Sequence, residues 1–271
     1  MNDRKRAVRY GISFVILAVL LIFLFIWNVN SGSIHLSVQE ILNIIFRHQG
    51  DEISYNIVWE IRLPRILSVI ILGGALSVSG FLLQTFFNNP IAGPFVLGIS
   101  SGAKLIVAFL MIFLLSRSVS IGSGAMILAA FAGSMISMGF VLLVAKKVHN
   151  MSMLVISGVM IGYICSAITD FVVTFADDSN IVNLHNWSLG SFSGMTWGNV
   201  RTMVVVVFLT MVIVFFMSKP ISAYQLGETY AQNMGVNIKV FRILLILLSS
   251  ILSACVTAFA GPISFVGIAV P

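Results

Sequence analysis

Residues 8–27 read VRYGISFVILAVLLIFLFIW, a run whose one charge, Arg9, stands at its very start. As a helix such a run rises about 30 Å, the thickness of the hydrocarbon core of a bilayer. Comparable runs follow over residues 65–87, 94–115, 119–145, 152–175, 200–217 and 239–260, and an eighth begins near residue 263. With 59% hydrophobic and 9% charged residues, the chain has too little polar surface for a soluble particle. The expected fold is all-α: a polytopic transmembrane bundle of seven to eight spans, forming one membrane domain over residues 1–271. The first run is too long for the apolar core of a signal peptide, and no small-x-small cleavage site follows in residues 28–34, so it is read as a retained helix. Cys165 and Cys255 lie far apart in apolar runs and suggest neither a disulfide framework nor a metal site.

The distribution of Lys and Arg sets the expected orientation, because short cytoplasmic loops retain basic residues. With the N-terminus inside, the inner face carries Arg4, Lys5, Arg6, Arg9, Lys146, Lys147, Lys219, Lys239 and Arg242, against Asp3 and Glu228. The outer face then carries Arg47, Arg62, Arg65, Arg117 and Arg201, balanced by Glu40, Asp51, Glu52, Glu60, Asp177 and Asp178. The net charge of +6 thus reads as loop topology in a plasma (inner) membrane protein, not as a nucleic-acid surface.

Two loops carry helical signatures. In residues 37–46, Ser37 with Glu40 three positions later predicts a capping box ahead of an apolar face, hence a short helix on the outer surface. Residues 226–235, on the inner face, read as a short amphipathic helix closed by Gly235. Pro90 and Pro94 forbid a continuous helix through residues 88–94, and a break at membrane depth marks Asn89 and Pro90 as pathway candidates. Lys104 and Asp170 are the ionisable side chains placed within spans, where charge is costly enough to suggest transport. Gly73, Ser77 and Gly80, and likewise Gly158 and Gly162, form small-residue faces suited to close helix packing. The chain has no phosphate-binding GxxxxGK[ST] loop, no histidine pair at metal-ligand spacing, and no in-span base to activate a serine. Any ATP is therefore expected to be hydrolysed by another subunit.

Glu60-Ile61-Arg62-Leu63-Pro64-Arg65 is followed by Gly73-Gly74-Ala75-Leu76, Ser79-Gly80, Gln84, Asn89-Pro90-Ile91-Ala92, Pro94, Leu97-Gly98-Ile99-Ser100 and Gly102-Ala103. Later come Trp187-Ser188-Leu189-Gly190-Ser191, Leu226-Gly227-Glu228 with Ala231 and Gly235-Val236, and the block from Ala260-Gly261-Pro262 to Pro271. In order and spacing these resemble the FecCD-type permease family of iron-siderophore, haem and cobalamin ABC importers. The resemblance implies a non-catalytic subunit of ten helices, paired with a second permease subunit as homodimer or heterodimer. It also implies a cytoplasmic ATP-binding subunit, an extracytoplasmic substrate-binding protein, and no cofactor held by this chain. A ferric siderophore or related iron chelate is the expected cargo, with haem or cobalamin the alternatives. An ion-coupled secondary transporter using Asp170 and Lys104 is the remaining alternative.

Residue by residue, the resemblance assigns Arg62 and Arg65 to binding-protein docking. It assigns Leu226, Gly227, Glu228, Ala231 and Gly235 to ATPase coupling, with Glu228 either meeting a basic ATPase residue or left solvated. The inner gate of cobalamin permeases falls near Met151 and Ser152, although the alignment there needs a gap. Family members continue past the Pro271 motif through two more membrane helices, so the chain is expected to be C-terminally truncated. Lys104 departs from the uncharged residue usual at its position.

Overall fold

The computed structural model describes residues 2–32, 36–115, 123–147, 151–263 and 265–271. The chain begins with α1 (Asn2–Asn30), α2 (Val38–Arg47) and α3 (Glu52–Asn56), and a π-helical turn (Ile57–Arg62) leads without a break into α4 (Leu63–Phe87). A 3₁₀ turn (Pro94–Leu97) precedes α5 (Ile99–Leu115), α6 (Ser123–Lys147), α7 (Met151–Val173), α8 (Asp178–Ser188) and α9 (Trp197–Phe216). Two short helices, α10 (Ser218–Gln225) and α11 (Glu228–Asn233), lead to α12 (Ile238–Ala260) and the single turn α13 (Val266–Ala269). Among the described residues there is no strand, as expected of a polytopic helical bundle.

Among the described residues six helical stretches are long and apolar enough to cross a bilayer: Val8–Asn30, Glu52–Phe87, Gly124–Val144, Met153–Val173, Trp197–Phe216 and Ile238–Ala260. The boundaries differ from the sequence reading in three places. The second span starts at Glu52, well before residue 65, because Pro64 is absorbed in a widened turn and does not end the helix. The span expected over residues 94–115 becomes the shorter α5, since Gly98 takes a left-handed conformation (φ 68°) and separates the 3₁₀ turn from the helix. α8 was not anticipated, its sequence being too polar to register as an apolar run. The start of the span expected over residues 119–145 lies outside the described residues, and from residue 263 onward one helical turn forms.

The helices fall into two compact units, Met1–Val69 with Ser193–Val200, and Ile70–Phe192 with Arg201–Pro271. The first is built on Val29, Leu36, Ile41, Ile44, Val58, Leu63 and Ile66. α2 starts with the capping box its sequence predicts: the Ser37 amide and hydroxyl donate to Glu40 Oε2 at 2.8 and 2.9 Å, and the Glu40 amide donates to Ser37 Oγ. These bonds, the backbone one foremost, hold the Glu40 carboxyl below its usual range, so the box persists at neutral pH and is lost as acid protonates the carboxylate.

The π turn has an identifiable cause. A proline ring inside a helix lacks an amide proton and presses on the carbonyl four residues back, and a wider turn relieves that clash. Leu63 accordingly donates to Val58 O, five residues back. In this register the carbonyl of Trp59 would be met by residue 64, and Pro64 has nothing to donate. The indole of Trp197 fills the vacancy, with Nε1 donating to Trp59 O at 2.9 Å and the two rings packed 5.4 Å apart. Tyr55 and His48 extend the aromatic cluster against Trp59.

In the second unit α12 is the central post: 72% of its apolar window is buried, whereas α1 of the first unit buries 6%. Ser79 on α4 and Ser249 on α12 donate to each other's backbone carbonyls at 2.8 and 2.9 Å, a reciprocal clasp that contributes about 1 kcal/mol per bond. Small residues set the other crossings. A side chain on Gly102 of α5 would strike the Gly133 carbonyl and Ser137 on α6, and one on Gly80 of α4 would strike the Gly267 carbonyl of α13. The small face at Gly158 and Gly162 packs on Gly98, whereas Gly73 and Gly74 have no neighbour at Cβ distance. Blocks distant in sequence are therefore complementary surfaces: Leu76, Gly80, Gly93 and Pro94 lie against the end of the chain, and Gln84 Nε2 donates to Ile268 O.

Two stability predictions follow from these contacts. Trp197→Phe keeps an aromatic ring but orphans the Trp59 carbonyl, and should destabilise the chain by about 1–3 kcal/mol, read as a lower thermal unfolding midpoint in detergent. Gly102→Leu should cost a similar amount, about 1–3 kcal/mol, by forcing α5 from α6, whereas Gly73→Leu should leave the midpoint unchanged in the isolated chain.

Candidate docking and coupling sites

The structure treats the two arginines of the Arg62-Leu63-Pro64-Arg65 block differently. Arg62 is buried, and its Nη1 donates to Val29 O at 2.5 Å. Val29 is among the last residues of α1, whose terminal carbonyls have no helical donor, and a cation there also complements the helix dipole. A side chain at Gly32 would collide with the guanidinium, so glycine keeps its passage open. Arg65, three residues on, is exposed. Of the two arginines expected to point outward, Arg62 is instead the cap of α1, because the end of that helix offers a bare carbonyl within reach.

The segment expected to form one helix over residues 226–235 is the second half of a two-helix element. Leu226 ends α10, Gly227 turns the chain with φ 126°, and α11 occupies Glu228–Asn233. The element closes in a Schellman motif, with Val236 N donating to Ala231 O and Gly235 N to Gln232 O, and Gly235 supplies the required positive φ of 85°. Ala231 is fully buried, whereas Leu226, Tyr230 and Met234, spaced by four, are exposed. Glu228 pairs within its own chain: its Oε2 lies 2.6 Å from Arg242 Nη2 on α12. α10 is held separately, by Gln225 Nε2 donating to Thr85 Oγ1 of α4 and by Tyr224 packing on Phe241.

The break at residues 88–94 is equally well ordered. Asn88 takes φ 49° and closes α4 with its own Schellman pair, Asn89 N to Gln84 O and Asn88 N to Thr85 O. Asn89 Oδ1 then accepts from Ile91 N at 2.9 Å, and Asn89 and Pro90 are exposed. Met151 and Ser152 open α7, but their side chains, like Asn150, lie outside the described residues. Lys104 is half-buried and Asp170 exposed; the ion pair found among the described residues is Glu228–Arg242, not theirs. No three His, Cys, Asp or Glu side chains converge as metal ligands among the described residues.

Two contributors escaped the sequence reading. Trp197 has no local motif; the available signal was Pro64, which implies an orphaned carbonyl without saying what meets it. Arg242 entered the reading as one more inner-face cation, and only the fold brings it back to Glu228.

The sequence pattern of the FecCD transport family matches residues 20–271. The chain is 30% identical over 256 residues to the hemin transport system permease protein HmuU of Yersinia pestis, covering 94% of this chain and 75% of that protein. It is 33% identical over 272 residues to the vitamin B12 import system permease protein BtuC of Vibrio parahaemolyticus, covering 100% and 78%. Among solved structures, an ABC transporter assigned to the metal-chelate type and captured in an inward-facing conformation superimposes with a TM-score of 0.81 at 26% identity, covering 93% of this chain and 77% of that one. Permeases of this class work with an ATPase subunit and a second permease subunit. On the strength of these matches and of the helical bundle that carries them, the chain belongs to the FecCD transport family of multi-pass ABC importer permeases.

Proposed function

We propose that the chain is the permease of an importer for a ferric siderophore or a related iron chelate, driven by ATP hydrolysed on a separate cytoplasmic subunit and supplied by an extracytoplasmic binding protein. The observation that carries the energy coupling is the α10–α11 element, two short helices joined at Gly227 that present Leu226, Tyr230 and Met234 as exposed apolar side chains for the ATPase. A place on the cytoplasmic side, with the N-terminus in the cytoplasm, is supported by the basic residues counted with it. The chain itself supplies no catalytic group and binds no cofactor in this reading. The chemistry of two relatives supports this cargo: hemin is an iron chelate, and the similar solved structure is assigned to the metal-chelate type. Haem itself is the second reading, favoured by the HmuU match. An ion-coupled carrier using Lys104 and Asp170 has less support, since these two form no ion pair among the described residues.

Arg65 takes the docking role, and Arg62 supports it by fixing the helix from which Arg65 projects. Asn89, Pro90, Met151 and Ser152 stand near the inner mouth of the path in this reading.

Reconstitution with candidate ATPase and binding-protein subunits tests the proposal. Uptake of labelled ferric siderophores should require ATP hydrolysis, while haem and cobalamin remain outside the vesicles. Selective haem uptake would reassign the cargo, and uptake without ATP turnover would replace the mechanism. Arg65→Glu should weaken binding-protein docking about two- to five-fold near 50 mM salt, by the scale of exposed ion pairs. The loss should shrink near 500 mM salt, where charges are screened within about 5 Å. Equal docking by variant and wild type at low salt would remove Arg65 from the interface.

A further inference from the structure

α11 is a body of six residues between two glycines with positive φ, Gly227 at 126° and Gly235 at 85°. Backbone bonds at its ends, Ala231 N to Gly227 O and Val236 N to Ala231 O, keep it from fraying. Its hold on the rest of the protein is slight: the buried face is the methyl group of Ala231, and Leu226, Tyr230 and Met234 beside it are exposed. The polar fastening is Glu228 Oε2 to Arg242 Nη2 at 2.6 Å. Arg242 lies at the start of the second turn of α12, the most buried of the long helices, and its Nε is fully enclosed. The pair is sheltered on the arginine side, where 24% of the side chain is exposed against 47% for Glu228, so water screens it less than it would a fully exposed pair.

α10 has a different attachment. Gln225 bonds to Thr85, whose own carbonyl helps close α4 ahead of Asn89 and Pro90. The two short helices are thus joined through Gly227: α10 is held by α4 through Gln225–Thr85 and by α12 through Tyr224 on Phe241, whereas the side-chain bond of α11 is to Arg242 of α12.

We infer that the Glu228–Arg242 ion pair is the tie that carries displacement of α11 into α12, making Arg242 a positioning residue for energy coupling. This rests on the reading of α11 as the ATPase-contacting element and adds the route by which force leaves it. Without the tie, a push on α11 is absorbed by rotation about Gly227 and Gly235. With it, α12 moves as one body, and the Ser79–Ser249 clasp passes the movement to α4.

A charge swap separates this role from a contact between Glu228 and the ATPase, because exchanging the two charges restores an internal pair but not an external one. In the reconstituted transporter, with its own ATPase and binding protein, substrate imported per ATP hydrolysed is measured for Glu228→Arg, Arg242→Glu and the double variant. Each single variant should lower that ratio about five-fold or more, and the double variant should return it to within about two-fold of wild type, the range expected for directly coupled residues. ATPase turnover and subunit assembly should stay intact in all three. If the reversed charges prevent assembly, Glu228→Cys with Arg242→Cys joined by a short bis-maleimide gives a second route, and the ratio should rise on linking. Single variants that couple normally would overturn the inference, as would assembled single variants that the swap fails to rescue. Wild-type transporter that imports without consuming ATP would instead overturn the importer reading, and this inference with it.

Discussion

A helical carbonyl that loses its donor has no water to turn to where lipid or protein surrounds it, and several of this chain's least obvious contacts answer that constraint. Pro64 deprives the Trp59 carbonyl of a partner, and the Trp197 indole supplies one. The end of α1 leaves the Val29 carbonyl bare, and Arg62 fills the place. α4 and α11 end on residues with positive φ so that their last carbonyls can be met by the turning backbone itself. Aromatic, cationic and turn-forming residues that resemble functional motifs in the linear sequence thus first serve to complete helices.

Packing obeys a second consequence of the same environment. Lipid tails are as apolar as leucine, so long helices gain little from burying leucine against leucine and depend on close approach and hydroxyl bonds. Gly102 against Gly133, Gly80 against Gly267, and the reciprocal serines of α4 and α12 meet that need. The blocks by which the family is recognised are in large part these surfaces: Leu76, Gly80, Gly93 and Pro94 lie against α13, and Gly190 and Gly261 bring the segment after α8 against the end of α12.

In the coupling element, rigidity and freedom are divided between neighbouring residues. α11 is stiffened by a complete Schellman closure and bounded by glycines, so it moves as a unit. α10 is held by Thr85 of α4 and Phe241 of α12, whereas the side-chain bond of α11 reaches Arg242 of α12. A continuous helix across residues 218–235 would lack that division, and Gly227 is the residue that prevents it.

The apolar runs alone determined that this is a polytopic helical membrane protein, because a run of about 20 apolar residues has one stable arrangement in a bilayer. They also located most spans to within a few residues, the Ser37–Glu40 capping box and the Gly235 stop, since each depends on contacts within a few positions. Helix ends near Pro64 and Gly98 were misplaced, for a proline can be absorbed in a widened turn when a distant indole meets the freed carbonyl. Only the tertiary structure decided that Arg62 is buried while Arg65 is exposed, that Glu228 is paired inside its own chain, and that Lys104 and Asp170 form no ion pair among the described residues. Those outcomes depend on which groups a fold brings within 3 Å of one another, and the identity of the neighbouring residues in the sequence does not contain that distance.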